Sequence, residues 1–336
     1  MINIKNGALT CCGSIVLAAF AVASGNSAQA ETWPARPIKW VVPFSPGGAN
    51  DLVARTAAEA VSKRLGQPIL IENKPGGGTV IATDYVAKSK ADGYTFLIGA
   101  AGVVTNSFLR EKVPYADSDI VPVAMLAASP SVIVVHPSLP VNTLKELIEY
   151  TKKQGKEGIN FATAGSGSTP DFVIEMLKDA TAASGTTGAN FTAIPFKSGQ
   201  ESVTAVLGNQ VTATSESSVV VLPHIKAGKL KALAVTSEKP ILSYNTIPTT
   251  ASIGFPSVKI EHWAGLFAPK GTPQGIIERM NAEIQTALIS KDLQEKLVPS
   301  GIEPMPGTVA QFATFIVGER ERLGRIAKKA GMKADH

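Results

Sequence analysis

Ser166, set between two glycines, and Ser168, which follows the second, are the residues of the segment AGSGST placed most like an exposed nucleophile. The G-x-S-x-G elbow is not matched, because Gly165 and Gly167 lie only two apart, and nothing nominates a histidine partner. The four histidines are His136, His224, His262 and His336. None pairs with another at metal-ligand spacing, and HExxH is absent. His136 precedes a proline at a strand end, His224 follows Pro223 at a helix start, and His336 is the last residue. His262, beside Trp263, is the one histidine worth keeping, and a structural role weighs more for it than a chemical one. No carboxylate pair stands at a spacing that suggests glycoside chemistry. Neither G-x-G-x-x-G nor G-x-x-x-x-G-K-[ST] occurs, so nucleotide-dependent readings weaken. These residues predict a protein that is not an enzyme and holds no cofactor and no catalytic or structural metal.

What remains is the chemistry of holding an anion. Ile38 to Arg55 reads IKWVVPFSPGGANDLVAR. A short apolar run of β type, Ile38 to Val42, breaks at Pro43 into the turn-rich PFSPGGAN, and helical spacing starts at Asp51. Strand, glycine loop and helix start is the arrangement in which backbone N–H groups converge on a small anion. Pro43 and Pro46 stiffen the loop, while Gly47 and Gly48 allow close approach. Asn50 or Asp51 can cap the helix, whose apolar face would be Leu52, Val53, Ala57, Ala60 and Val61. Plain turn-and-cap and ligand-binding floor both fit this stretch.

The elements around it follow an α/β alternation. Strands at Pro68–Glu72 and Tyr94–Ile98, with a helix from about Thr79 to Ser89, complete a βαβαβ unit with a parallel sheet. A small-residue loop, Gly99 to Asn106, would lie on the same sheet edge as the first loop, the edge where such folds bind ligands. Thr105 and Asn106 in that loop read equally as a helix cap or as ligand contacts. Val121 to Pro140 holds two extended apolar runs punctuated by Pro130 and Pro137, and reads as a crossover between domains. A second alternation starts with a helix capped by Thr143 and Glu146. Strands at Ile159–Thr163, Asn190–Pro195, Val211–Thr214 and Leu230–Val235 alternate with helices at Pro170–Leu177, Gln200–Leu207 and Val219–Lys226. Between Ile159 and Pro170, AGSGST repeats the logic of the first loop: glycines, hydroxyl side chains, then a helix start. Trp263–Pro269 reads as the return crossover, Thr272–Leu288 as a helix and Val309–Ala330 as a long helix ending near Gly331. The C-terminal helices are expected on the first lobe.

The first thirty residues read as an export signal. Lys5 is their only charge, Ile15 to Ala23 is apolar, and Ala28 and Ala30 form an A-x-A site ahead of Glu31. Both cysteines, Cys11 and Cys12, lie inside this segment, so the remaining 306 residues (336 − 30) contain neither disulfide nor thiolate site. That length is ample for one or two domains. The formal charge of +5 becomes +4 without Lys5, and no basic stripe is interleaved with aromatics, which gives nucleic acid no foothold as a partner.

The segments WPARPIKWVVPFSPGGANDLVAR, ENKPGGGTVIATDYVAKSKADGYTFLIG, HIKAGKLKALAVTSEKP and WAGLFAPKGTPQGIIERMNAEI, with VIVVHPSLP and NFATAGSGST, occur in one order. In that order the chain resembles the substrate-binding proteins of bacterial tripartite tricarboxylate transporters, the periplasmic receptors expanded in Bordetella. The resemblance spans essentially the whole chain after residue 30. It implies a two-lobed α/β binding protein of the Venus-flytrap type (type II), each lobe a mostly parallel sheet with flanking helices. Lobe 1 would be residues 31–130 and 255–336, and lobe 2 residues 131–254. It also implies a small carboxylated solute, delivery to membrane permease subunits, and a monomer in the periplasm.

The family's first ligand loop matches Pro43 through Asp51, and its second Ala162 through Asp171. The implied ligand-binding residues are Phe44, Ser45, Gly47, Gly48, Asn50 and Asp51 on the first. On the second they are Ala164, Ser166, Ser168, Thr169 and Asp171, joined by Thr105 and Asn106. Many relatives carry a histidine where Asp171 stands and a glycine in place of Ser198; both departures bear on which acid is bound. For Asp171 two readings stand: a charge that complements the helix start, or a carboxylate that enters the cleft.

Overall fold

The computed structural model describes residues 33–155, 158–182 and 188–334. The expected export segment, with Lys5, Cys11, Cys12, Ala28 and Ala30, lies outside the described residues, as does His336. The first half of the described chain runs β1 (Ile38–Val42), α1 (Ala49–Leu65), β2 (Ile69–Asn73), α2 (Val80–Ala87), β3 (Thr95–Gly99) and α3 (Ala101–Leu109). β1 lies between β2 and β3 and is parallel to both, so the expected βαβαβ unit is present.

β4 (Ile120–Val135) is a single strand of 16 residues. After it come α4 (Leu144–Lys153), β5 (Ile159–Thr163), α5 (Thr169–Ala182), β6 (Phe191–Pro195), α6 (Gly199–Leu207), β7 (Ala213–Ser217), α7 (Ser218–Lys226) and β8 (Lys231–Val235). The chain then returns along β9 (Glu261–Pro269) and ends in α8 (Gln274–Leu288), α9 (Lys291–Leu297), β10 (Glu303–Pro304) and α10 (Val309–Ala330). The sheet order is β2-β1-β3-β9-β4-β7-β5-β6, with β8 and β10 also paired to β4. The sheet is mixed: parallel at its two ends, where α/β crossovers connect the strands, and antiparallel around β4 and β9.

β4 is what joins the halves. From Ile120 to Pro130 it pairs with β9, and from Ser131 to Val135 with β7. Pro130 stands at the change of partner, where a residue without an N–H costs the ladder least. Serine hydroxyls knit this junction: Ser129 Oγ is 2.6 Å from Ser217 Oγ and 2.9 Å from Ser218 Oγ, and Ser131 Oγ is 2.8 Å from Ser215 Oγ.

Apolar residues on the two sides of the sheet form separate cores. Trp40, Phe96, Val53, Ala57, Val61, Met280 and Ile284 pack on the face covered by α1 and α8. Phe161, Phe172, Trp263, Phe267 and Phe312 fill the other. α10 docks there by its Phe312 ring. A Cβ on Gly265 would lie 2.2 Å from Cζ of that ring, so the close approach needs glycine. A fully buried phenylalanine contributes about 1.5–3 kcal/mol, which makes this contact a main anchor of the last helix. The helix starts at a capping box between Thr308 and Gln311 and stops at Gly331, whose φ of 64° is left-handed.

Two expectations need correction. Gly99 to Asn106 is not a loop: helix α3 starts at Ala101, and Thr105 and Asn106 are buried inside it. The run AGVVTNSFL mixes small, polar and apolar residues and is only nine residues long, so it carries no helical stripe to read. α9 was not anticipated either; its seven residues, KDLQEKL, are too few to show a period.

Candidate functional site

The first loop is held from beneath by one acid. Asp51, buried at the start of α1, accepts from the Gly47 N–H (3.0 Å), from Arg55 Nε (2.9 Å) and, through Oδ1, from Asn73 Nδ2 (2.8 Å). Burial pushes the Asp51 carboxyl up, but the bonds from Arg55, Asn73 and Gly47 outweigh it and hold it below the usual carboxylate range. Asn73 also donates to the Phe44 carbonyl at 2.9 Å, so the same side chain fixes both ends of the loop. Gly47 has φ 89°, a left-handed turn that favours glycine. Gly48 is the N-cap residue of α1, with an ordinary φ of −79°. Phe44 and Ser45 stand exposed above the loop, and Asn50 Nδ2 donates to the Trp263 carbonyl at 3.3 Å, tying the helix start to β9.

The second loop repeats the device. Gly167 N–H donates to Oδ2 of Asp171 at 2.8 Å, again across four residues into the first turn of a helix. Gly165 and Gly167 have φ of 94° and 78°, and Ser168 N–H closes the turn on the Gly165 carbonyl at 3.1 Å. Ala164 and Ser166 are half-buried, and Thr169 is buried at the start of α5. Ser168 Oγ is buried with no hydrogen-bond partner. The first N–H groups of α1 and α5 have no intrahelical acceptor, which is what suits such ends to anions.

Each loop faces an element of the other half. A Cβ on Gly48 would lie 3.3 Å from Nε2 of Gln200, in the first turn of α6. One on Gly167 would lie 2.3 Å from Cδ1 of Leu109 and 3.7 Å from Oγ1 of Thr105, both on α3. Thr105 thus stands beside the second loop. Asn106 does not: its Nδ2 donates to the Gly78 carbonyl at 2.9 Å, and its Oδ1 accepts from Arg110 Nε at 3.1 Å, so it pins α3 to the 77–79 turn.

Sequence reasoning missed Gln200 and Glu216. Glu216 is the penultimate residue of β7, toward the same sheet edge as the second loop, buried at 3% exposure, with Oε1 unpartnered. An acid amid the small and hydroxyl residues of ATSES was a signal available in the sequence. His262 is half-buried, with its Nε2 buried and unpartnered, and desolvation holds its pKa down at about 4, so it is a neutral imidazole at physiological pH. Among the described residues no group of three or more His, Cys, Asp or Glu could hold a metal ion. None of the described helices is long and apolar enough to cross a membrane.

The profile of the Tripartite tricarboxylate transporter family receptor matches residues 53–332. The chain belongs to that family. Protein BugT of Bordetella pertussis, a curated relative of this receptor, is 36% identical over 95% of this chain and 97% of its own. Among solved structures, the periplasmic binding protein BugD is 31% identical with a TM-score of 0.80, covering 90% of this receptor and 100% of that chain. R. palustris Rpa4515, solved with adipate, is 33% identical with a TM-score of 0.83, covering 90% and 99%. The tricarboxylate transporter receptor seen here thus has the two-lobed α/β fold of periplasmic binding proteins, and its family and structural relatives are binding proteins.

Proposed function

We propose that this chain is a periplasmic receptor that captures a small organic carboxylate between its two glycine loops and hands it to the permease subunits of a tripartite transporter. The observation that carries the reading is the matched pair of loops, each ending a parallel strand, each opening a helix, each braced by an aspartate four residues on. A carboxylate taken from water must regain its hydrogen bonds, and fixed N–H donors at two helix starts supply them without a buried counter-ion. The adipate in the R. palustris relative supports a carboxylate as the ligand class. On this reading Phe44, Ser45, Gly47, Gly48 and Asn50 face the ligand from one side, with Ala164, Ser166, Ser168, Thr169 and Thr105 on the other. Asp51 and Asp171 hold the loops in place.

Lobe 1 comprises residues 31–130 and 255–336, lobe 2 comprises 131–254, and β4 and β9 form the hinge. The chain is exported by its first thirty residues, cut near Ala30, and acts as a monomer without turnover. A thermal-shift screen against mono-, di- and tricarboxylates tests this, because a ligand that binds only the folded state raises its apparent stability. A rise in melting temperature confined to one class of acid is expected; no rise with any acid counts against the proposal.

A further inference from the structure

Two buried polar atoms without hydrogen-bond partners are Ser168 Oγ, in the loop between β5 and α5, and Glu216 Oε1, near the end of the neighbouring strand β7. β5 and β7 are parallel, with Ala162 level with Thr214. Two residues further on, Ala164 has left β5, while Glu216 is the penultimate residue of β7, still paired with Val132 of β4, so both lie toward the same edge of the sheet. The Glu216 carboxyl is pressed against bare backbone: a Cβ on Gly199 would lie 2.5 Å from Oε2 and 3.1 Å from Oε1. Gly199 opens α6, and the next residue, Gln200, is the one that meets Gly48. The carboxyl thus stands one layer behind the point where the first loop touches the second half.

A buried acid kept only for structure is normally paired or hydrogen-bonded, because a bare polar atom costs desolvation energy with no return. Three uncharged groups stand against Glu216: Val132, opposite it on β4, Gly199 on α6 and the Ser217 N–H. Of the charged residues on the adjoining elements, Glu175 of α5 pairs with Lys178 and Asp179 with Lys329. Glu201 on α6 accepts from the Lys197 N–H at 3.1 Å, Asp171 on α5 accepts from Gly167, and His224 and Lys226 sit in the last turn of α7. Burial pushes the Glu216 carboxyl up to about 8, against the Ser217 N–H, which favours its charged form. At neutral pH it is a carboxylic acid, with one O–H donor and one free acceptor.

We propose that Glu216 is a specificity-determining residue of this site, its carboxyl hydrogen-bonding a polar group of the bound acid where the first loop meets α6. This rests on the receptor reading above. A neutral carboxyl donates to a ligand carboxylate without like-charge repulsion, so the site can take one carboxylate on the loop N–H groups and a second against Glu216. The ligand class is then a dicarboxylate. Above the pKa of the carboxyl the donor is gone and two negative charges meet, so affinity falls.

Calorimetric titration of wild type, Glu216→Gln and Glu216→Ala with adipate, malate, glutamate and citrate at about pH 6, 7 and 9 tests this. Glutamine keeps the shape and supplies an N–H donor at every pH. Wild type should bind a dicarboxylate about tenfold or more weakly at the highest pH than at neutral, as expected when a donor turns into a like charge. Glu216→Gln should show a level profile, and Glu216→Ala should bind weakly throughout. Binding by wild type with a level profile, or with one parallel to that of the glutamine variant, overturns the inference and leaves the receptor reading intact. Absence of wild-type binding to all four acids overturns both. If Glu216→Gln does not fold, the wild-type profile alone decides.

Discussion

Gly167 N–H donates to Oδ2 of Asp171 at 2.8 Å, and Gly47 N–H donates to Oδ2 of Asp51 at 3.0 Å. Two loops with different sequences, PFSPGGAN and AGSGST, are thus set by one device in the two halves of the molecule. An aspartate in the first helical turn reaches back four residues and fixes a glycine N–H. It also complements the positive end of its helix. Of the two readings left open for Asp171, this bond gives weight to the helix-start role, with the loop as the beneficiary.

The consequence for Asp171→Ala is a loosened loop and not an altered ligand preference. Losing the bond that the Gly167 N–H makes to this charged acceptor costs about 1.5–3 kcal/mol. Calorimetry against mono-, di- and amino-dicarboxylates should show affinities reduced together, with rank order kept and a modest drop in melting temperature. A changed rank order would place the Asp171 carboxylate in contact with the ligand.

Gly48→Val separates binding from folding. Gly48 has an ordinary φ, so valine brings no backbone strain there, and the nearest foreign atom is the flexible tip of Gln200, 3.3 Å from the new Cβ. Stability should change by less than about 1 kcal/mol, as for a surface substitution. Affinity should fall by about tenfold or more, since a branched side chain stands between the first loop and α6 at a cost of about 1.4 kcal/mol or above. Unchanged calorimetric affinity would return this loop to the status of a plain turn.

Much of this was legible beforehand because glycine and proline punctuate a chain locally. Pro43, Pro46, Gly47 and Gly48 mark a loop in any context, and the spans of β1, β5 and α10 follow from runs that are apolar or periodic within themselves. Helix α3 was not legible, because what makes it helical is tertiary. Gly102 passes so close to the 78–79 turn that a Cβ would lie 2.5 Å from the Gly78 carbonyl oxygen, and Asn106 bonds that same carbonyl. Glu216 shows the same limit at the site. Its burial and raised pKa are set by packing from distant residues, among them Gly199 against its carboxyl, 17 positions away in the chain (216 − 199).

Two titrating groups, the buried Glu216 and the half-buried His262, should tilt the pH profile of stability in opposite directions. His262 has its pKa lowered from 6.5 to about 4, so its contribution is full above the higher value and is lost as pH falls toward the lower. Glu216 has its pKa raised from 4.5 to about 8, so its contribution is full below the lower value and is lost as pH rises through about 8. Melting temperatures of wild type, His262→Gln and Glu216→Gln across this range should show the glutamine at 216 gaining on wild type as pH rises. The variant at 262 should gain on wild type as pH falls. Parallel curves would mean that neither group titrates with the shift its burial demands.

The central claim is that the two glycine loops together hold a small carboxylate. It is tested most directly by calorimetric titration of the ligand-free protein with a series of dicarboxylates of increasing length at neutral pH. The account predicts one site per chain, with affinity peaking at one chain length. Heats indistinguishable from dilution across the whole series would contradict it.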